Sequence, residues 1–205
     1  MGDYIETFTG KRFRPLAPVI EDICIEDIAH ALSNQCRFSG HTWRHFSVAQ
    51  HSINVCAYLR DQGFSETVQL WGLLHDASEA YLVDLPSPLK HQPEFLPYRQ
   101  AEARLMKAIC ERFGLPEEEP AAVKDADARM LADEAFELMP FNPLHWTQLE
   151  HRPTGDSQLH PILTIYGVNK LFISEFRRLS DATKNQCFDA RYRLRGDSDD
   201  CEGVQ

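Results

Sequence analysis

The sequence predicts an all-α fold, a single helical bundle, on three observations. Apolar residues recur at helical spacing along nearly the whole chain. Start and stop signals bracket those runs, among them Ser47 with Gln50, Gly63, Gly114 and Pro120. Convincing alternating strands are absent. With 205 residues, 43% hydrophobic and 25% charged, the chain is expected to form one domain over residues 1–205 with a real core. That core is expected over about 20–182, with a disordered tail over 193–205.

The first helix is read over 25–33, where Ile25, Ile28, Ala29 and Leu32 form a stripe. The second spans 47–63: Ser47 and Gln50 make a capping-box pattern and Gly63 marks the end. The third spans 65–82 with Ser65 as N-cap, and its middle is apolar all round, as in a central buried helix. Two prolines in Leu85–Lys90 then break the pattern. An amphipathic helix over 97–116 stops at Gly114, and another over 120–140 begins at Pro120. Residues 141–160, rich in Pro, His and Asn, read as loop, and 168–182 as a last helix.

Several function classes are disfavoured. The longest apolar runs fall far short of the about 20 residues a membrane span needs, and the N-terminus has no apolar leader. A cytoplasmic location and no membrane partner are expected. The six cysteines include no Cys-x-x-Cys pair, which argues against a structural zinc site or a disulfide framework; Cys24 and Cys56 read as buried thiols. The formal net charge of −10 repels polyanions, so no polymeric nucleic acid is expected as a partner. A small anionic ligand needs a local basic cluster, for which Arg37, Lys90 and Lys124 are the candidates.

The chemistry gathers around His75 and Asp76. An apolar run from Trp71 to Leu74 leads straight into this pair, and Glu79 and Asp84 follow. Spacings of three and four place His75, Asp76 and Glu79 on one side of the third helix. His51 shares the stripe of Val48 and Val55, and Asp127 lies between Val123 and Met130, so both point inward. Buried charge is expensive unless something pairs with it. Two imidazoles and two carboxylates, His51, His75, Asp76 and Asp127, suit one divalent transition ion such as Mn, Fe, Co, Ni or Zn, and a 2+ charge would balance them. Asp125 falls on another face and reads as solvated. His41 and His45 read as structural or as the lip of a substrate site, and Trp43 as packed.

His51, then His75-Asp76, then Asp127 resembles the pattern of the HD-domain phosphohydrolase superfamily. The segments that carry it are "CRFSGHTWRHFSVAQHS" (36–52), "LLHDASEAYLVDLPSPLK" (73–90) and "VKDADARML" (123–131), within roughly residues 20 to 140. The likeness is to the branch of bacterial 5′-deoxynucleotidases and phage deoxynucleoside triphosphate triphosphohydrolases. It implies an all-helical HD domain with one divalent metal on His51, His75, Asp76 and Asp127, catalytic roles for Glu79 and Asp84, and a homodimer. It further implies nucleotide contacts from Arg37 and Phe38 and phosphate contacts from Lys90 and Lys124. Relatives often carry Trp where Phe38 stands.

The resulting expectation is a metal-dependent phosphohydrolase for deoxynucleotides, foremost a 5′-nucleotidase releasing phosphate from monophosphates. The alternative is release of intact triphosphate from deoxynucleoside triphosphates. A catalytically silent nucleotide-binding regulator is the third reading, and loss of Glu79 or Asp84 would be its mark; both are present.

Overall fold

A short hairpin, β1 (Ile5–Glu6) and β2 (Arg12–Phe13), precedes helices α1 (Ile25–Asn34), α2 (Val48–Asp61), α3 (Glu66–Leu74), α4 (Glu79–Leu82), α5 (Ser87–Lys90), α6 (Leu96–Phe113), α7 (Ala121–Leu138) and α8 (Ile165–Gly196). The computed structural model describes residues 3–140, 146, 149, 151, 153, 159 and 163–196, with side chains as far as Thr183. Among the described residues the fold is all-α apart from that hairpin, as the sequence predicts. Most of the expected loop over 141–160, and residues 197–205 of the expected tail, lie outside the described residues.

Helix α2 is the axis of the core. Ser47 caps it, accepting from the Gln50 N–H at 3.2 Å. Gly63, at φ 77°, closes its end by donating to the Arg60 carbonyl. Nearly every residue of α2 is buried because α1, α3, α7 and α8 all pack on it. Helix α3 is equally enclosed, with Gln69 to Leu74 all buried. Phe13, Phe46 and Phe172 fill the largest fully covered positions.

Several boundaries differ from the sequence reading. The helix expected over 65–82 is broken: α3 ends at Leu74, residues 75–78 form tight turns, and α4 follows. The cause is local. The Gly72 carbonyl accepts from His75 Nδ1 at 2.8 Å, and beyond it the backbone bonds shorten to three-residue spacing, Ala77 to Leu74 and Glu79 to Asp76. Ser65 occupies the N-cap position of α3, but its side chain makes no capping bond. Pro120 is the N-cap of α7 rather than its first residue. Helix α8 runs on to Gly196, well past residue 182 and into the expected tail.

The hairpin went unpredicted because two residues per strand carry no readable alternation. Its register pairs Ile5 with Phe13 and Glu6 with Arg12. The link to the bundle is buried Asp27 of α1, which accepts from Thr9 N at 2.7 Å and Thr9 Oγ1 at 2.9 Å. Cys56 is buried, whereas Cys24 is only partly covered and donates to Glu26, a correction to its reading as a buried thiol. Among the described residues no helix is long and apolar enough to cross a membrane.

Candidate metal centre

Two close approaches build the site. A Cβ at Gly72 would meet Leu59 Cδ1 at 2.4 Å and Val55 Cγ1 at 3.3 Å, so α3 lies close against α2 and any larger residue would have to displace those side chains. His75 follows Gly72 by one turn and therefore reaches His51 on α2. Ahead of α2, Val48 N donates to Gln35 O and Arg37 N to Phe46 O. This backbone staple carries Arg37 to the same end of α2.

His51 is fully buried, and its Nδ1 lies 2.8 Å from Glu134 Oε1. His75 Nδ1 lies 2.8 Å from the Gly72 carbonyl. An ionised carboxylate and a carbonyl only accept, so both Nδ1 atoms carry hydrogen. The two Nε2 atoms then face each other at 3.3 Å. Asp76 Oδ2 is 3.3 Å from His75 Nε2, and Asp127 Oδ1 is 3.0 Å from His51 Nε2 and 3.9 Å from that of His75. Acceptors gathered this way repel unless a cation stands among them. The group His51, His75 and Asp76, the first buried and the other two partly covered, has its donor atoms within 4.8 Å of one another and is of a kind that could hold a metal ion. Its two nitrogens and carboxylate, with each ring anchored from behind, fit a borderline divalent ion.

Asp127 joins the cluster differently from its expected place. Its side chain is 44% exposed, so it closes the site from the solvent side rather than facing the core. Asp125 points elsewhere and pairs with His151 at 3.0 Å.

The charges are strongly coupled. Burial opposes an imidazolium at His75, yet Asp76 and Asp127 lift the ring to about 10 in the metal-free chain. Burial also pushes up the Asp127 carboxyl, but its bond to His51 and the nearby His75 hold it at about 2. Glu79 behaves in the opposite way. It is 5% exposed, its Oε2 has no hydrogen-bond partner among the described residues, and burial with Asp76 and Asp84 nearby pushes it up to about 9 in the metal-free chain. Burial raises Asp84 too, with Arg37 opposing.

The turn carrying these acids is held in a strained form. Val83 sits at φ 74°, ψ 144°, a region costly for a β-branched residue. Gln35 spans the turn, donating to the Glu79 carbonyl at 3.0 Å and accepting from Asp84 N at 3.3 Å. Tyr98 donates to Val83 O at 2.5 Å. Beside the turn opens a cavity of about 440 Å³. Arg37, Asp84, Ser39, His41 and Ser87 give it polar groups; Phe38, Leu131, Met139 and Trp146 are among its apolar walls. Phe38 and Ser39 reach it through left-handed backbone at φ 53° and 52°.

The basic residues are less free than the sequence suggests. Arg37 Nη2 lies 3.2 Å from Glu134 Oε2 and Nη1 3.9 Å from Asp76 Oδ2. Lys90 is bound by Glu102 at 2.6 Å. Lys124 is 68% exposed and lies 3.8 Å from Glu119. Trp43 is also corrected: it is 61% exposed, with its indole N–H on the Glu137 carbonyl and Arg44 over its ring. Glu134 and Gln35 were missed. Glu134 had a signal, lying two turns after Asp127 on one stripe of α7; Gln35 had none.

No family model matches the chain. It is 38% identical over 183 residues to the uncharacterised protein YfdR of Escherichia coli (strain K12), a match covering 88% of this chain and 98% of that one. It is 35% identical over 153 residues to the uncharacterised protein RCAP_rcc00048 of Rhodobacter capsulatus, covering 71% of this chain and 78% of the relative.

Proposed function

The chain belongs to one family with YfdR and RCAP_rcc00048, and we propose that it is an HD-type, metal-dependent phosphohydrolase of deoxynucleotides. The observation that carries this reading is the pair of facing Nε2 atoms, each ring locked through Nδ1, with Asp76 and Asp127 against them. His51, His75, Asp76 and Asp127 would hold the ion. A divalent ion there supplies Lewis acidity toward a phosphoryl oxygen and makes water a better nucleophile near neutral pH.

The chain's own groups supply the rest. Arg37, fixed by Glu134, offers its guanidinium to the phosphate at the cavity edge. Glu79, whose carboxyl burial and the nearby Asp76 and Asp84 push up in the metal-free chain, is the proton donor, and Asp84 at the cavity wall orients the attacking water. The apolar walls around Phe38 and Trp146 receive the base and exclude water from the reacting end.

A monophosphate is favoured over a triphosphate by one observation. Neither Lys90 nor Lys124 lines the cavity, which leaves Arg37 as its main cation among the described residues. The test is a panel of nucleoside mono- and triphosphates assayed with Mn, Co, Mg and Zn. Inorganic phosphate released from monophosphates is the expected result. Intact triphosphate from triphosphates would select the alternative. No turnover with any nucleotide and any ion would overturn the enzyme reading and leave a binding role.

A further inference from the structure

Glu134 is fully buried, on α7, and does not line the cavity. A buried carboxylate is a costly way to fill space, so its two oxygens need a reason. Oε1 lies 2.8 Å from His51 Nδ1, and Oε2 lies 3.2 Å from Arg37 Nη2, an ion pair without hydrogen-bond geometry. One side chain thus touches both the innermost candidate ligand and the main cation of the cavity. We propose that Glu134 is a positioning residue that fixes the His51 ring with Nε2 toward the ion while holding Arg37 at the edge of the same site. The inference rests on the metal-site part of the proposed function.

The physical effect is twofold. Accepting from Nδ1 selects the tautomer whose free lone pair is on Nε2, and the negative charge behind the ring makes that lone pair a stronger donor. Holding Arg37 from behind keeps its positive charge from swinging onto Asp76, 3.9 Å away, where it would compete with the ion. Neither task requires contact with the reacting atoms.

The test reads cobalt(II) affinity of the full chain by competition with a chromophoric chelator, with melting temperature measured alongside. Glu134→Gln is expected to bind cobalt about 10–100-fold more weakly than wild type, the usual cost of losing a partner behind a metal-bound histidine. Glu134→Leu should lose more, because glutamine keeps an oxygen for the Nδ1–H and so rescues part of the affinity. The Arg37→Gln variant separates the two tasks. If Glu134 acts on His51, Arg37→Gln with Glu134→Gln binds cobalt about 10–100-fold more weakly than Arg37→Gln alone. Equal affinity of those two variants, or wild-type affinity in folded Glu134→Gln at any melting temperature, overturns the proposal. Should Glu134→Gln not fold, the double variant, which removes the buried charge pair together, is compared with wild type. Failure to hydrolyse nucleotides would sink the enzyme reading and leave this one standing; absence of cobalt binding by wild type would sink both.

Discussion

Glu79 is the side chain whose surroundings alter its chemistry most usefully. Burial, with Asp76 and Asp84 nearby, pushes it up to about 9 in the metal-free chain, which favours the neutral acid at pH 7 there. Glu79→Gln imitates that form in charge and shape. The variant should therefore fold, bind one ion and retain nucleotide, while kcat falls about 10²–10⁴-fold through loss of the transferable proton. Wild-type kcat in this variant would move the proton to Asp84 or remove it from the mechanism. The two aspartates of α7 make a sharper pair. Asp127→Asn should lose most metal affinity, whereas Asp125→Asn, whose partner is His151, should keep it. Metal retained by Asp127→Asn would show the wrong acid had been chosen. His51, His75, Asp76 and Asp127 were legible because metal-competent residues fell on inward stripes or in a tight pair. Glu134 was not, since its partners Arg37 and His51 come from remote segments and a buried acid means little until both are in place. Asp127 is corrected: its stripe suggested burial, but the helix leaves its side chain half in solvent, beside His51.

Secondary structure carried its own signals unevenly. Ser47, Gly63 and Gly114 marked ends correctly because capping is local chemistry. The break at His75 was invisible, because it arises when the imidazole takes the Gly72 carbonyl, and the sequence pattern there stays helical. That glycine also joins two helices. With Leu59 Cδ1 and Val55 Cγ1 waiting at 2.4 and 3.3 Å, Gly72→Ala must push α3 from α2 or displace fully buried side chains. The expected cost is about 1–3 kcal/mol of overpacking. For a chain of this size that lowers the melting temperature by roughly 2–4 °C per kcal/mol. Metal affinity should fall as well, since the His51 to His75 distance depends on the same contact. An unchanged melting temperature would mean that the α2–α3 contact yields easily and does not set the site.

Across the whole molecule, stability and the proposed metal binding would form one proton-coupled equilibrium. The chain has a formal charge of −10, and the core end of α2 concentrates acids that require a cation. In the metal-free protein that cation is a proton on His75, held to about 10 against an ordinary value of 6.5. A group raised in this way stabilises the fold fully below 6.5 and loses its contribution as pH climbs toward 10. Glu79, raised from 4.5 to about 9, acts in the same direction, because the fold favours its neutral form. With a chelator present, the melting temperature should therefore decline between about pH 6.5 and 9. A divalent ion bound there would replace the His75 proton, and its affinity would grow as protons cease to compete. At a free-ion level of about 100 times Kd the gain is about 2.7 kcal/mol, or roughly 5–10 °C for a chain of this length. The separation between metal-loaded and chelated melting curves should thus widen from pH 6.5 to 9. Thermal denaturation at a series of pH values, with cobalt or with EDTA, measures it directly. A separation that stays constant or narrows would mean that no ion competes with the His75 proton, and the cluster would then be an ordinary buried ion-pair network.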